Sequence, residues 1–154
     1  MSANANDLIQ TQTIVLDMNA TSRQDCLEQL AARMEAGQYV TDRALFLADV
    51  EAREQHASTA IGFGVAIPHG KSAGVVKPGL AFARLSRPLD WNALDGQPVS
   101  LIILLAIPQA EAGKEHLRVL ASISRKLIHE SFRNELSEAK TEEDVLRTLE
   151  SALS

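Results

Sequence analysis

Aromatic side chains are almost missing from this chain: four Phe, one Tyr and one Trp make up 4% of its 154 residues. A core must therefore be assembled from Leu, Ile, Val and Ala, with few wide rings to fill space. Cysteine is scarcer still, and the lone Cys26 excludes an internal disulfide. No run of Lys or Arg is present, and the net charge is −5. Nucleic-acid binding rests on clustered cations that displace phosphate counterions, so it is not expected. Nor is there a long hydrophobic run. The longest, Val99 to Pro108, is broken by Ser100 and reaches about half of the roughly 20 residues that cross a bilayer, so direct membrane insertion is not expected. The start, MSANANDLIQ, has neither the basic head nor the apolar centre of a signal peptide, and the expected compartment is the cytoplasm. Four histidines, at 56, 69, 116 and 129, form no H-E-x-x-H and no Cys/His pair, and no metal or cofactor is expected. A hydrolase G-x-S-x-G elbow and a Walker loop are both missing, and Gly62-x-Gly64 lacks the third glycine of a dinucleotide fingerprint.

What is present is the balance of a globular domain, 45% hydrophobic and 23% charged. The length suits one domain over residues 1–154, with 1–10 expected to be loose. TIVLDM (13–18) reads as a strand. Thr21 and Ser22 are N-cap candidates for the helix in SRQDCLEQLAARMEAG, with Cys26, Leu27, Leu30, Ala31 and Met34 on one face and Gly37 as its stop. Thr41 is expected to cap a second helix, DRALFLADVEAREQ, whose apolar residues cover more than one face. The period then changes. FGVAI (63–67), GLAFARL (79–85) and VSLIILLAI (99–107) read as strands, the last with the unbroken apolar run of a strand covered on both sides. A loop, IPQAEAGKEH, leads into the helix KEHLRVLASISRKLIHE, with Leu117, Leu120, Ala121, Leu127 and Ile128 on its apolar side. SFRNEL and TEEDVLRTLESAL add one or two more helices, the latter capped by Thr141. The expected fold class is α/β: a single layered domain with a mixed, mostly buried β-sheet flanked by helices on both faces.

Within GFGVAIPHG a titratable ring, His69, stands where a short strand should end, between Pro68 and Gly70. A lone histidine in such a place is often a hydrogen-bonded bystander. Several features favour a reactive one. Pro68 biases Ile67 towards extended backbone. Gly70 removes the neighbouring Cβ, so another surface can approach. Neutral imidazole is a nucleophile near neutral pH. Other segments could converge on the ring. His116 lies just inside a helix start, where anions are favoured. Arg53, near the end of the second helix, carries a planar fork suited to phosphate. Ser58 and Thr59 could donate hydroxyl bonds to an anion. Each of these also has an ordinary surface or loop reading.

STAIGFGVAIPHGKS resembles the STGIGxGxAIPHxK signature of enzyme IIA domains of the fructose–mannitol type, from the bacterial phosphoenolpyruvate-dependent sugar phosphotransferase system. LDGQPVSLIILLAIP and EHLRVLASISRKLIHESFRNEL are similar to later parts of that domain, so the resemblance spans nearly the whole chain. It implies that His69 accepts a phosphoryl group on Nε2 from the carrier protein HPr. The group then passes to an enzyme IIB domain, and so indirectly to a sugar permease complex. It also implies that His116 assists, that Arg53 steadies the phosphate, and that no metal ion is needed. Ser58, Thr59 and Gly70 are the candidate phosphate loop. An exposed rim of Phe63, Val65 and Leu117 is expected to dock the partners. Ala60 departs from the family's usual glycine, a cost only if that position needs φ > 0. Transport of a fructose-type sugar is the favoured role. A nitrogen-type regulatory IIA protein, with the same fold and histidine, is the alternative, and an inert domain with a buried histidine ranks last.

Overall fold

The unbroken apolar run at 99–108 forms the central strand of the protein. In the computed structural model, which describes residues 8–110 and 115–153 without the side chains of Glu115 and His116, a 3-10 turn at Thr11–Thr13 precedes the first strand. The order is then β1 (Ile14–Met18), α1 (Arg23–Ala36), α2 (Arg43–His56), β2 (Ala60–Gly62), β3 (Val65–Ala66), β4 (His69–Ser72), β5 (Gly79–Leu89) and β6 (Val99–Pro108). Three helices follow: α3 (Glu115–Leu127), α4 (Glu130–Glu138) and α5 (Glu142–Leu153). The strands lie side by side as β1-β5-β6-β3-β2, with β4 also on β6. β1 runs parallel to β5, β5 antiparallel to β6, β3 and β4 parallel to β6, and β2 antiparallel to β3. The mixed sheet expected from the sequence is therefore observed.

Alternation along the strands divides the core in two. Ala81, Ala83, Ile102, Leu104 and Ala106 meet the buried faces of α1 and α2. Leu80, Phe82, Leu101, Ile103, Leu105 and Ile107 meet α3, α4 and α5 through Ile123, Leu127, Phe132, Leu136, Val145 and Leu149. Each fully buried aliphatic side chain contributes about 1.5–3 kcal/mol relative to exposure, so both layers are strongly held to the sheet.

Side-chain caps mark the starts of α1, α2 and α5. Ser22 Oγ accepts the Asp25 N–H at 3.0 Å and Thr141 Oγ1 accepts the Asp144 N–H at 3.2 Å. The cap of α2 is Asp42, not Thr41: its Oδ1 accepts the Leu45 N–H at 3.1 Å. Thr41 is occupied one residue earlier, where its own N–H donates to Gly74 O at 2.8 Å. Among the described side chains of α3, Ile123 and Leu127 are buried, while Leu117 and Ala121, and Ile128 just past its end, are exposed.

The largest departure from expectation is at 60–72. Gly62, Phe63 and Gly64 have φ of 98°, 62° and 76°, which an extended strand cannot hold. The expected strand at 63–67 is cut there and reduced to Val65–Ala66, and β4 begins only after Pro68. Even so, Val65 pairs with Leu101 and His69 with Leu105, so β3 and β4 continue one register along β6.

Candidate active site

Pro68 has no N–H to give, but its carbonyl accepts the Leu105 N–H at 3.0 Å, and this seats His69 as the first residue of β4 rather than the end of a strand. Alternation then sets direction. Gly70 faces α2: a Cβ there would stand 2.8 Å from Val50 Cγ2 and 3.1 Å from Val50 N. His69 therefore faces the α3 layer. Gly70 serves the close approach of helix to strand.

His69 is half-buried, and its Nδ1 lies 3.1 Å from the Ile67 carbonyl. A carbonyl can only accept, so the neutral ring carries its hydrogen on Nδ1 and its lone pair on Nε2. That is the form in which Nε2 can act as a nucleophile.

Behind the ring the bonds continue. The Ile67 N–H donates to Thr59 O at 3.0 Å. The Thr59 N–H donates to Glu54 Oε2 at 3.1 Å, the Thr59 hydroxyl donates to Glu54 Oε1, and Trp91 Nε1 donates to that same oxygen at 3.1 Å. Ser58 Oγ donates to Trp91 O at 2.8 Å and accepts the Ala60 N–H at 3.2 Å. Both hydroxyls offered by the sequence as phosphate donors thus turn inward, and they hold the loop instead.

Asp42 packs on Gly74 and Val50 on Gly70, so α2 runs antiparallel to β4. Another helical turn carries Arg53 and Glu54 towards the Ile67–His69 end. Arg53 is half-buried there and donates Nη1 to Ala57 O at 2.9 Å. His116 is the second residue of α3, in the layer that His69 faces; its side chain lies outside the described residues.

The expected rim is partly corrected. Phe63 is 60% exposed and Leu117 50%, but Val65 is fully buried, because alternation points it into the core beneath α3. Arg133 lies over the Phe63 ring at 4.1 Å and donates Nη1 to Leu127 O at 2.7 Å and Ile128 O at 2.9 Å. It ties the Phe63 turn to the junction of α3 and α4. Ala60 sits in β2 and is not among the residues with positive φ, so alanine carries no left-handed strain there. Cys26 is no rival acceptor. Burial, and then the charge of Asp25, push its thiol up to about 12, so thiolate is scarce near neutral pH.

Glu54, Trp91 and Arg133 were missed by sequence reasoning. For Glu54 a signal existed: Phe46, Val50 and Glu54 are the buried residues of α2, spaced i, i+4, i+8.

A layered α/β domain with a histidine on an interrupted edge strand defines the class. More particularly, the chain belongs to the family described as phosphoenolpyruvate-dependent sugar phosphotransferase system, EIIA 2, whose family model matches residues 7–152. It is 36% identical over 141 residues to a fructose-like EIIA component of the phosphotransferase system of Escherichia coli, covering 92% of this chain and 94% of that one. It is also 36% identical over 143 residues to a nitrogen regulatory protein of Bradyrhizobium diazoefficiens, covering 93% and 92%. The 2-O-alpha-mannosyl-D-glycerate-specific EIIABC component of E. coli is 35% identical over 96% of this chain, but the chain spans only 22% of that relative's length. Among solved structures, the nitrogen regulatory protein IIA-Ntr of Neisseria meningitidis superposes with a TM-score of 0.86 at 36% identity, covering 94% of this chain and 97% of that one. Among the described residues, no helix is long and apolar enough to cross a membrane.

Proposed function

We propose that the protein is a phosphoryl carrier of the sugar phosphotransferase system, working in the cytoplasm. His69 takes the group from phospho-HPr and gives it to an enzyme IIB component during uptake of a fructose-type sugar. The observation that carries this reading is the bond from His69 Nδ1 to Ile67 O, because it leaves the lone pair on Nε2.

The Nε2 pair attacks phosphorus in line. The donor's N–P bond breaks, and its electron pair returns to the donor nitrogen. The His69 ring keeps the Nδ1 hydrogen and becomes cationic, with the Ile67 carbonyl oxygen facing that hydrogen. Onward transfer breaks the new N–P bond and returns the pair to Nε2. Such transfer is mostly positioning and charge stabilisation. Arg53 and His116 are the groups proposed to spread the charge of the phosphoryl oxygens. Arg53 is held to Ala57 O by one bond, so its remaining donors can serve a phosphate. Exposed Phe63 and Leu117 supply the apolar docking surface. The EIIABC relative, in which A, B and C parts share one chain by name, supports a IIB domain as the receiving partner.

A second reading, a nitrogen-type regulator controlled by the same phosphorylation, is favoured by the likeness to the two nitrogen regulatory proteins. One experiment separates them: incubation with phosphoenolpyruvate, enzyme I, HPr and a panel of IIB proteins. Label on His69 that moves to a IIB protein supports the transport role. Label that stays on His69 with every IIB protein favours the regulator. A chain that takes no label overturns both.

A further inference from the structure

Glu54 ends the buried stripe of α2 that Phe46 and Val50 begin, and it is 5% exposed. A carboxylate in that place is costly unless donors replace the lost water. Three donors do so: the Thr59 N–H, the Thr59 hydroxyl and Trp91 Nε1. Yet an acid and its three donors, replaced together by apolar groups of similar size, would serve the stability of a buried stripe as well. The position of the donors supplies a reason for the acid. Thr59, fixed at its N–H and its hydroxyl, presents its carbonyl to the Ile67 N–H at 3.0 Å. Ile67 in turn presents its carbonyl to His69 Nδ1 at 3.1 Å. Trp91, which shares the Oε1 oxygen with the Thr59 hydroxyl, also accepts the Ser58 hydroxyl at its carbonyl, so the loop is gripped at two successive residues.

We infer that Glu54 is a positioning residue for His69. Through Thr59 and Ile67 it fixes the carbonyl that selects the Nδ1–H tautomer and holds Nε2 in line for phosphorus. The inference rests on reading His69 as the phosphoryl acceptor, and it adds a residue two steps removed from the reacting atom. Loss of the acid frees the Ser58–Thr59 loop and loosens the Ile67 carbonyl. The ring then drifts towards the Nε2–H tautomer that imidazole prefers in water, and that tautomer has no lone pair where the reaction needs one.

The test uses the full chain and two readouts on wild type, Glu54→Gln and Glu54→Leu. Nitrogen-15 NMR of the His69 ring reports the tautomer without any phosphoryl transfer. Labelling rates from phospho-HPr give kcat and KM. Glutamine keeps an oxygen for the Thr59 hydroxyl and Trp91, but presents a donor to the Thr59 N–H. The expected result for Glu54→Leu is a shift away from the Nδ1–H tautomer and a fall in kcat of about 10- to 100-fold, with KM within about twofold of wild type. Glu54→Gln should recover most of both. A leucine variant that melts earlier, yet keeps the wild-type tautomer and kcat below its melting temperature, makes Glu54 a purely structural residue and overturns the inference. Should the leucine variant not fold, Glu54→Gln and Thr59→Val decide, with smaller shifts in the same direction expected; no shift in either also overturns it. Should wild type show the Nδ1–H tautomer but take no label, the carrier reading fails, and the tautomer measurements alone judge Glu54.

Discussion

The two faces of the sheet are built from different side chains. Towards α1 and α2 the strands present mostly small residues, Ala66, Ala81, Ala83, Ala106 and Gly70, with Ile102 and Leu104 of β6 among them. Towards α3, α4 and α5 they present Val65, Ile67, Leu80, Phe82, Leu101, Ile103 and Leu105. Small residues bring a helix close to the strands, and large ones hold it further off. On the close face α2 lies so near β4 that no Cβ fits at Gly70. His69 and Gly70 are neighbours in sequence but belong to opposite faces. The thin face sets where β4 and its preceding loop stand; the thick face receives the ring. In the proposed carrier, positioning and chemistry thereby fall to different layers.

The strongest way to break this division is to remove the ring. His69→Ala should abolish labelling from phospho-HPr, while the thermal melt stays close to wild type because the ring is only half-buried. Label retained by the variant would move the acceptor elsewhere. The wild-type label itself should be acid-labile and base-stable, as expected of a phosphoramidate.

Arg53→Ala comes next. A charge-assisted bond contributes about 1.5–3 kcal/mol, which is roughly a 10- to 150-fold loss of transfer rate if the bond is made mainly in the transition state. Arg53→Lys should recover part of this, since a point charge cannot copy the planar fork. Unchanged rates in both would leave Arg53 with its bond to Ala57 O as its whole task.

Gly70→Ala tests the thin face directly. A methyl group 2.8 Å from Val50 Cγ2 forces helix and strand apart, at a cost of about 1–3 kcal/mol in denaturant unfolding. Equal midpoints for variant and wild type would mean that α2 yields without strain. The smallest effect is expected at the rim. Phe63 adopts φ 62°, which costs a side chain about 1–2 kcal/mol, while glycine pays about 0.5–1 kcal/mol in chain entropy. Phe63→Gly should therefore change stability by less than about 1 kcal/mol, and should raise KM for phospho-HPr. An unaltered KM would remove Phe63 from the docking surface.

Much of the fold is legible where pattern and environment agree. The run at 99–107 is apolar because β6 is covered on both sides, and Cys26, Leu27, Leu30, Ala31 and Met34 are buried together on α1. Legibility fails where tertiary contacts override local preference. A phenylalanine at positive φ gives no local warning of the cut between β2 and β3, because glycine and asparagine are the usual occupants of that region. The inward side of α2 is hidden because its apolar residues cover more than one face, and the stripe that is buried ends in a glutamate. Leu117 in α3 and Ile128 just past its end suggest core but are exposed. At the candidate site, His69 is marked by its Pro and Gly neighbours. Its supporting bonds are not, since Trp91 reaches Glu54 from 37 residues away, and no local spacing encodes such a contact. The hydroxyls of Ser58 and Thr59 could be read as ligand donors only while their inward partners were unknown.

In the proposed carrier, a phosphoryl group on Nε2 leaves the hydrogen bond from Nδ1 to Ile67 O as it was. The empty and loaded forms then share one backbone shape, and what separates them is a phosphoryl group with about two negative charges on a ring that has become cationic, a net gain of about one negative charge at the margin of the sheet. A partner that prefers one form must read that charge rather than a conformation. Its preference should therefore fade with added salt, as the screening length falls from about 10 Å at 0.1 M to about 3 Å at 1 M.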